Sequence, residues 1–178
     1  MNAILILFYL LNVIICKNDI TPYYKEAYNY ILNDSFLKEQ CTDLLWSDTA
    51  IVAVSDNIWN FSPYPFSKEI VNFEFTNCSD SVKNKIEQYI AIKQAEIKIR
   101  NDSTLNLLDT NNTSNFNVLI SFSEIIDNKL TAEVTLFKKT IDNRYYHVRL
   151  TYLFYFNQES RKTNQWKIVK VFRCVVND

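Results

Sequence analysis

Few side chains in this sequence are suited to acid–base, nucleophilic or metal chemistry, and their spacing narrows the choice. The one histidine, His147, excludes HExxH and any other site built on two histidines. His147 sits beside Tyr145, Arg149 and Thr151 in a period-two segment, opposite an apolar set, which puts it on a solvated strand face rather than in a catalytic pocket. Glu124 has the contrary setting. It shares the parity of Val118, Ile120 and Phe122 and points toward the apolar side near a strand end. A desolvated carboxylate there could act as a base or hold a polar ligand group, which makes Glu124 the ligand-pocket candidate. The competing expectation is a carboxylate at the solvent rim, close to an Asp127-Asn128 turn.

Glycine is absent from all 178 residues, where average usage would supply about 12. That excludes the GxxxxGK[ST] phosphate loop, the dinucleotide GxGxxG, the GxSxG nucleophile elbow and the EF-hand loop. The four cysteines, Cys16, Cys41, Cys78 and Cys174, include no CxxC pair. Neither a metal site nor thioredoxin-like chemistry is expected, and nothing calls for a cofactor. In an oxidising compartment Cys41, Cys78 and Cys174 suit one disulfide and one buried thiol, with Cys174 in an apolar strand as the thiol.

Residues 138–178 hold nine Lys/Arg against three Asp/Glu, while 17–137 hold ten against seventeen. Arg149, Lys167 and Arg173 fall on the outward parity of the last two strands and form the partner-surface candidates. They suit an acidic protein partner or a membrane surface. A pI near 5.9 and an exported location argue against nucleic acid. Tyr145 and Tyr155, on the same outward parity, are the tyrosines placed to stack on a carbohydrate or a base.

These residues need elements to position them. Thr21-Pro22 starts a helix, and Tyr24, Ala27, Tyr28 and Ile31 give it one apolar face ending near Asn33. Leu37, Cys41, Leu44 and Leu45 continue as a second short helix. Ile51–Val54 reads as a strand, and 60–66, with Pro63 and Pro65, as a loop. Ser79-Asp80 caps the longest helical pattern, carried by Val82, Ile86, Tyr89, Ile90 and Ile97. The polar tract 101–117 reads as a surface loop. From Val118 the period becomes two, with turns expected at Asp127-Asn128, Asp142-Asn143 and 159–162. Asn and Asp take the left-handed turn conformations that glycine would otherwise supply. The result is α+β: N-terminal helices covering the apolar face of a C-terminal four-stranded antiparallel meander.

The first fifteen residues, MNAILILFYLLNVII, are uncharged and too short to span a bilayer. Residues 1–16 read as a secretory or lipoprotein leader, with 17–178 as one domain. A buried N-terminal helix or strand is the competing expectation. Cys16, at the end of the run and before Lys17-Asn18-Asp19, is the lipidation candidate and a possible membrane anchor. The order of elements, ending in the Trp166-Lys167-Ile168 strand, resembles the nuclear-transport-factor-like (SnoaL-type) fold. That resemblance implies a cone-shaped, cystatin-like half-barrel with a pocket between sheet and helices. Enzymes of that kind use pocket Asp, His and Tyr residues, and no such set maps here. Segments 27–35, 54–61 and 119–134 also resemble a group of small exported proteins of low-GC Gram-negative bacteria, which implies export but no activity.

The leading expectation is therefore a non-catalytic exported or surface-anchored binding domain. The alternatives are a small-molecule pocket protein or enzyme using Glu124, and an inhibitor or immunity-type protein acting through the basic sheet face.

Overall fold

The computed structural model describes residues 22–44, 51–92, 98–108, 116–139, 145–160 and 165–176. The leader expected over 1–16, with Cys16, lies outside these residues, as do the Asp142-Asn143 turn and the side chains of Cys41, Tyr145 and His147. Among the described residues no helix is long and apolar enough to cross a membrane.

The chain is α+β. Helix α1 (Pro22–Asn33) begins at the proline and buries Tyr24, Ala27, Tyr28 and Ile31, the face expected from their spacing. Asp34 interrupts it, and α2 (Ser35–Leu44) follows. Strand β1 (Val52–Trp59) leads through a 3-10 turn (Tyr64–Phe66) into α3 (Ser67–Glu74) and α4 (Asp80–Ile92). A short β2 (Ile99–Asn101) and a second 3-10 turn (Ser103–Leu107) precede β3 (Val118–Ser123), β4 (Lys129–Lys139), β5 (Tyr145–Ser160) and β6 (Gln165–Val176).

The expected meander is present as β3 to β6, but it is part of a larger sheet. Six strands run in the order β2-β1-β3-β4-β5-β6, with β1 parallel to β3 and the other neighbours antiparallel. The sheet is mixed and open. The Asp127-Asn128 turn forms as expected, with both residues left-handed (φ 48° and 60°), as a two-residue type I′ connection requires. Ile126 and Lys129 exchange backbone hydrogen bonds across it at 3.0 and 2.8 Å.

One sheet face carries the main core. Val118, Ile120 and Phe122 of β3 join Leu130, Ala132 and Val134 of β4 and Val148, Leu150, Tyr152 and Phe154 of β5 beneath α1. The tract expected as a surface loop is partly tied into this core, since Leu105 and Leu108 are buried there. Asp102 caps that 3-10 turn, its carboxylate accepting from the Thr104 backbone at 3.1 Å and the Thr104 hydroxyl at 2.6 Å.

The opposite face, expected to be solvated, has its own core. Leu153 and Tyr155 of β5 are buried there against Phe66 and Ile70, with Phe172 and Cys174 packed alongside. The cover is the Tyr64–Glu74 segment, whose first three residues fall in the stretch expected to be loop. Tyr155 is therefore buried, and its hydroxyl donates to Glu74 Oε1 at 2.7 Å, while Lys129 Nζ meets the same oxygen at 3.1 Å. This corrects the expectation that Tyr155 stands free for stacking.

A second correction arises in β6. Phe156 pairs with Ile168, but Tyr155 pairs with Lys170, so Val169 is an extra residue in the ladder. Such an insertion reverses the faces of everything beyond it. Trp166 and Ile168 keep to the main core, whereas Phe172 and Cys174 move to the second face and Arg173 turns toward α1.

Candidate functional site: a polar cleft on the second face of the sheet

The cover on the second face is partial. Across the sheet, Thr131 lies beside Leu153 and Phe172, the next row runs Glu133, Thr151, Cys174, and the next Thr135, Arg149, Val176. The first row reaches under the 3-10 turn and α3. The next two carry hydroxyl, carboxylate, guanidinium and thiol groups, and they floor an open cleft of about 1180 Å³. Trp59, Asn60 and Ser62, then Tyr64, Pro65 and Ser67, and Ala91 and Ile99 from α4 and β2 add to its lining.

The floor is built rather than incidental. Thr131 is 2% exposed. Its backbone N–H is held by Ser123 Oγ at 2.9 Å, yet its Oγ1 is buried and has no hydrogen-bond partner among the described residues. A buried hydroxyl left in that state costs about 1–3 kcal/mol. Thr151, 8% exposed, stands one row further. Glu133 Oε2 approaches Arg149 Nη1 at 4.0 Å, the outer limit of an ion pair, while its Oε1 accepts from the Thr135 hydroxyl at 3.4 Å. Both charged side chains are about one-third exposed, so they meet the solvent side of the cleft and Thr131 its depth.

Glu124 is not among the residues lining this cleft. It sits half-buried at the end of β3, where its backbone N–H donates to Trp59 O at 2.7 Å and its Oε1 accepts from the Phe61 N–H at 3.3 Å. Glu124 thus ties down the 59–61 segment, whose Trp59 and Asn60 line the cleft. It also faces Tyr24, whose hydroxyl donates to Ser123 O at 3.1 Å. Burial pushes the Tyr24 hydroxyl up to about 12, with the charges of Asp102 and Glu124 adding to the rise and Arg100 opposing it.

The three basic candidates do not share a surface. Arg149 lies in the cleft, and Lys167 is exposed on the same face of the sheet. Arg173 is on the other face, where Nη2 binds Asp34 Oδ1 at 2.9 Å and donates to the Tyr30 hydroxyl at 2.7 Å. Tyr152 donates to the second Asp34 oxygen at 3.1 Å, and the Asp34 side chain is only 2% exposed. No sequence signal marked this cluster, because Asp34 falls between two helices and Arg173 owes its direction to the insertion at Val169.

Cys78 and Cys174 are both free thiols, so the disulfide expected among Cys41, Cys78 and Cys174 is not formed. Cys174 is half-buried at the cleft edge and its thiol faces Val175 O at 3.6 Å. Among the described residues no three His, Cys, Asp or Glu side chains are placed to hold a metal ion. The cleft combines one carboxylate, one guanidinium and several hydroxyls, a set suited to hydrogen bonding a ligand. No protein-family model matches the chain, and neither curated proteins nor solved structures yield a match to it.

Proposed function

We propose that this chain is a non-catalytic binding domain that holds a small molecule in the cleft on the second face of its sheet. The observation that carries this reading is the polar floor of the cleft, where Thr151, Glu133 and Arg149 stand beside Thr131, whose buried hydroxyl has no partner among the described residues. Ligand sites are concave, largely apolar, and contain a few placed polar groups. Here Trp59, Tyr64, Pro65 and Ile99 supply the apolar surface, while Thr131, Thr151, Glu133 and Arg149 supply the polar points. With a leader over residues 1–16, the ligand is one met outside the cytoplasm. The inhibitor reading loses the shared basic face it needed, since Arg173 is engaged by Asp34 on the other side of the sheet.

A thermal-shift screen of the full chain against a chemically diverse small-molecule panel tests the proposal. Binders should raise the melting temperature of the parent, and Arg149→Met or Thr131→Val should remove most of that rise. Binders whose effect is unchanged in both variants would refute the cleft as the site, and a panel without binders would refute the reading itself.

A further inference from the structure

We infer that the cleft's ligand is a neutral carbohydrate of more than one ring. This rests on the binding reading above and adds the class of ligand. The charged lining is balanced, with one carboxylate, Glu133, and one guanidinium, Arg149, held 4.0 Å apart. An anionic ligand drawn to Arg149 would be repelled by Glu133, and a cation drawn to Glu133 would be repelled by Arg149. A neutral polyhydroxyl compound meets neither obstacle, because a sugar hydroxyl both donates and accepts. It can donate to the Glu133 carboxylate and accept from Arg149 in one pose.

The side chains have matching shapes. Glu133 and Arg149 end in planar forks, the geometry that favours bidentate pairing, while Asn60 Oδ1 is already held by the Lys98 N–H at 2.8 Å and leaves its NH2 group to donate. Thr131 Oγ1 is buried and lacks a partner among the described residues. Thr131 lines the cleft, and a ligand hydroxyl supplies one once the side chain rotates, since the resting oxygen is closed to water. Trp59 and Tyr64 both line the cleft. Such rings combine apolar faces with a polar edge, as the alternating C–H and O–H surface of a sugar ring requires. Tyr64 is 47% exposed and so stands at the mouth. The volume of about 1180 Å³ exceeds the roughly 300–1,000 Å³ typical of a site for one drug-sized molecule, which leaves room for a second ring.

The test titrates the full chain with maltotriose, cellotriose and chitotriose, reading tryptophan fluorescence and calorimetric heat, with benzoate and phenylalanine as anionic and zwitterionic comparators. At least one trisaccharide should bind, with an affinity that changes less than about twofold with added salt. Thr131→Val should weaken it by about five- to tenfold, and Glu133→Gln should weaken it too, with circular dichroism confirming that both variants are folded. If benzoate or phenylalanine binds and is lost in Arg149→Met while no trisaccharide binds, the carbohydrate inference falls and the cleft reading stands. If none of the five binds, the carbohydrate inference falls, and the wider small-molecule screen decides the cleft. A trisaccharide that binds both variants as tightly as the parent places the sugar elsewhere and also overturns the inference.

Discussion

Arg173 gives the sharpest disagreement between a surface reading and the structure, and a single substitution measures it. If Arg173 were a solvated residue on an outward face, Arg173→Met would alter stability by no more than about 0.5 kcal/mol. In the structure the change strands a carboxylate. The Asp34 side chain is 2% exposed, and among the described residues its charged partner is the Arg173 guanidinium at 2.9 Å. The Tyr152 hydroxyl at 3.1 Å would remain. Removing one partner of a buried ion pair costs about 3–5 kcal/mol. The Arg173 side chain is 40% exposed, so solvent already screens its side of the pair, and the expected loss is about 2–4 kcal/mol. The substitution also removes a hydrogen bond to Tyr30 at 2.7 Å and a cation lying 5.9 Å from its ring.

The design of the experiment separates these parts. Asp34→Asn keeps a hydrogen-bond acceptor while removing the charge, so the double variant Arg173→Met/Asp34→Asn buries no unpaired carboxylate. Urea unfolding of the four proteins, with the slope unchanged, should show the double variant losing less than the sum of the singles by about 1 kcal/mol or more. Additive losses, or an Arg173→Met loss below about 0.5 kcal/mol, would refute the argument that the insertion at Val169 turns Arg173 inward onto Asp34.

Two further predictions follow from the same coordinates. Leu153→Ala should cost about 2–5 kcal/mol, comparable to Leu150→Ala on the first face, because both leucines are essentially fully buried; a loss below about 0.5 kcal/mol by urea unfolding would mean that the second face is solvated after all. Stability should also fall in alkali. The hydroxyls of Tyr24, Tyr152 and Tyr155 are all pushed up, chiefly by burial, from the ordinary tyrosine value of about 10. Their contribution is whole below pH 10 and declines as the pH rises, disappearing for Tyr24 as pH passes about 12, because the unfolded chain releases these protons first. Urea midpoints measured across that window should drop; ionisation of Tyr24, Tyr152 and Tyr155 themselves in the folded state near pH 10, resolved by difference absorbance against the single Tyr→Phe variants, would contradict it.

What was legible in the sequence is what depends on near neighbours. The apolar face of α1 follows from the spacing of Tyr24, Ala27, Tyr28 and Ile31, and the hairpin from Asp127-Asn128, the residue types that tolerate positive φ. The alternation of β4 and of the α1-facing half of β5 was equally local. The second core was not read, although the signal was present: Leu150 to Phe156 is apolar at six of seven positions, a near-continuous run that marks a strand buried on both faces rather than one. The parallel pairing of β1 with β3 joins segments about 65 residues apart, and nothing local announces it. The insertion at Val169 is a one-residue event in a strand whose two faces both carry apolar residues, so parity counted from Trp166 carried Arg173 to the wrong side. The cleft was hidden for a related reason. Thr131 and Thr151 alternate with core residues and read as solvated until Tyr64–Glu74 is known to lie over the neighbouring row.

The distribution of polarity over the second face argues for a site more strongly than any one residue does. A solvated face would leave its threonines open to water, as Lys167 is, and a plain core would put valine where Thr131 and Thr151 stand. Neither holds. Leu153, Tyr155 and Phe172 fill the part beneath α3, and the rows beyond them keep hydroxyls and a Glu–Arg pair at depths where water is already partly excluded. Hydrogen bonds made in such a setting are stronger than in water, and unmade ones are more costly. Replacing Thr131 with valine should then leave folding unharmed or improved, while any ligand that needs its hydroxyl is lost. That opposition between stability and binding distinguishes a polar group retained for a ligand from one retained for the fold.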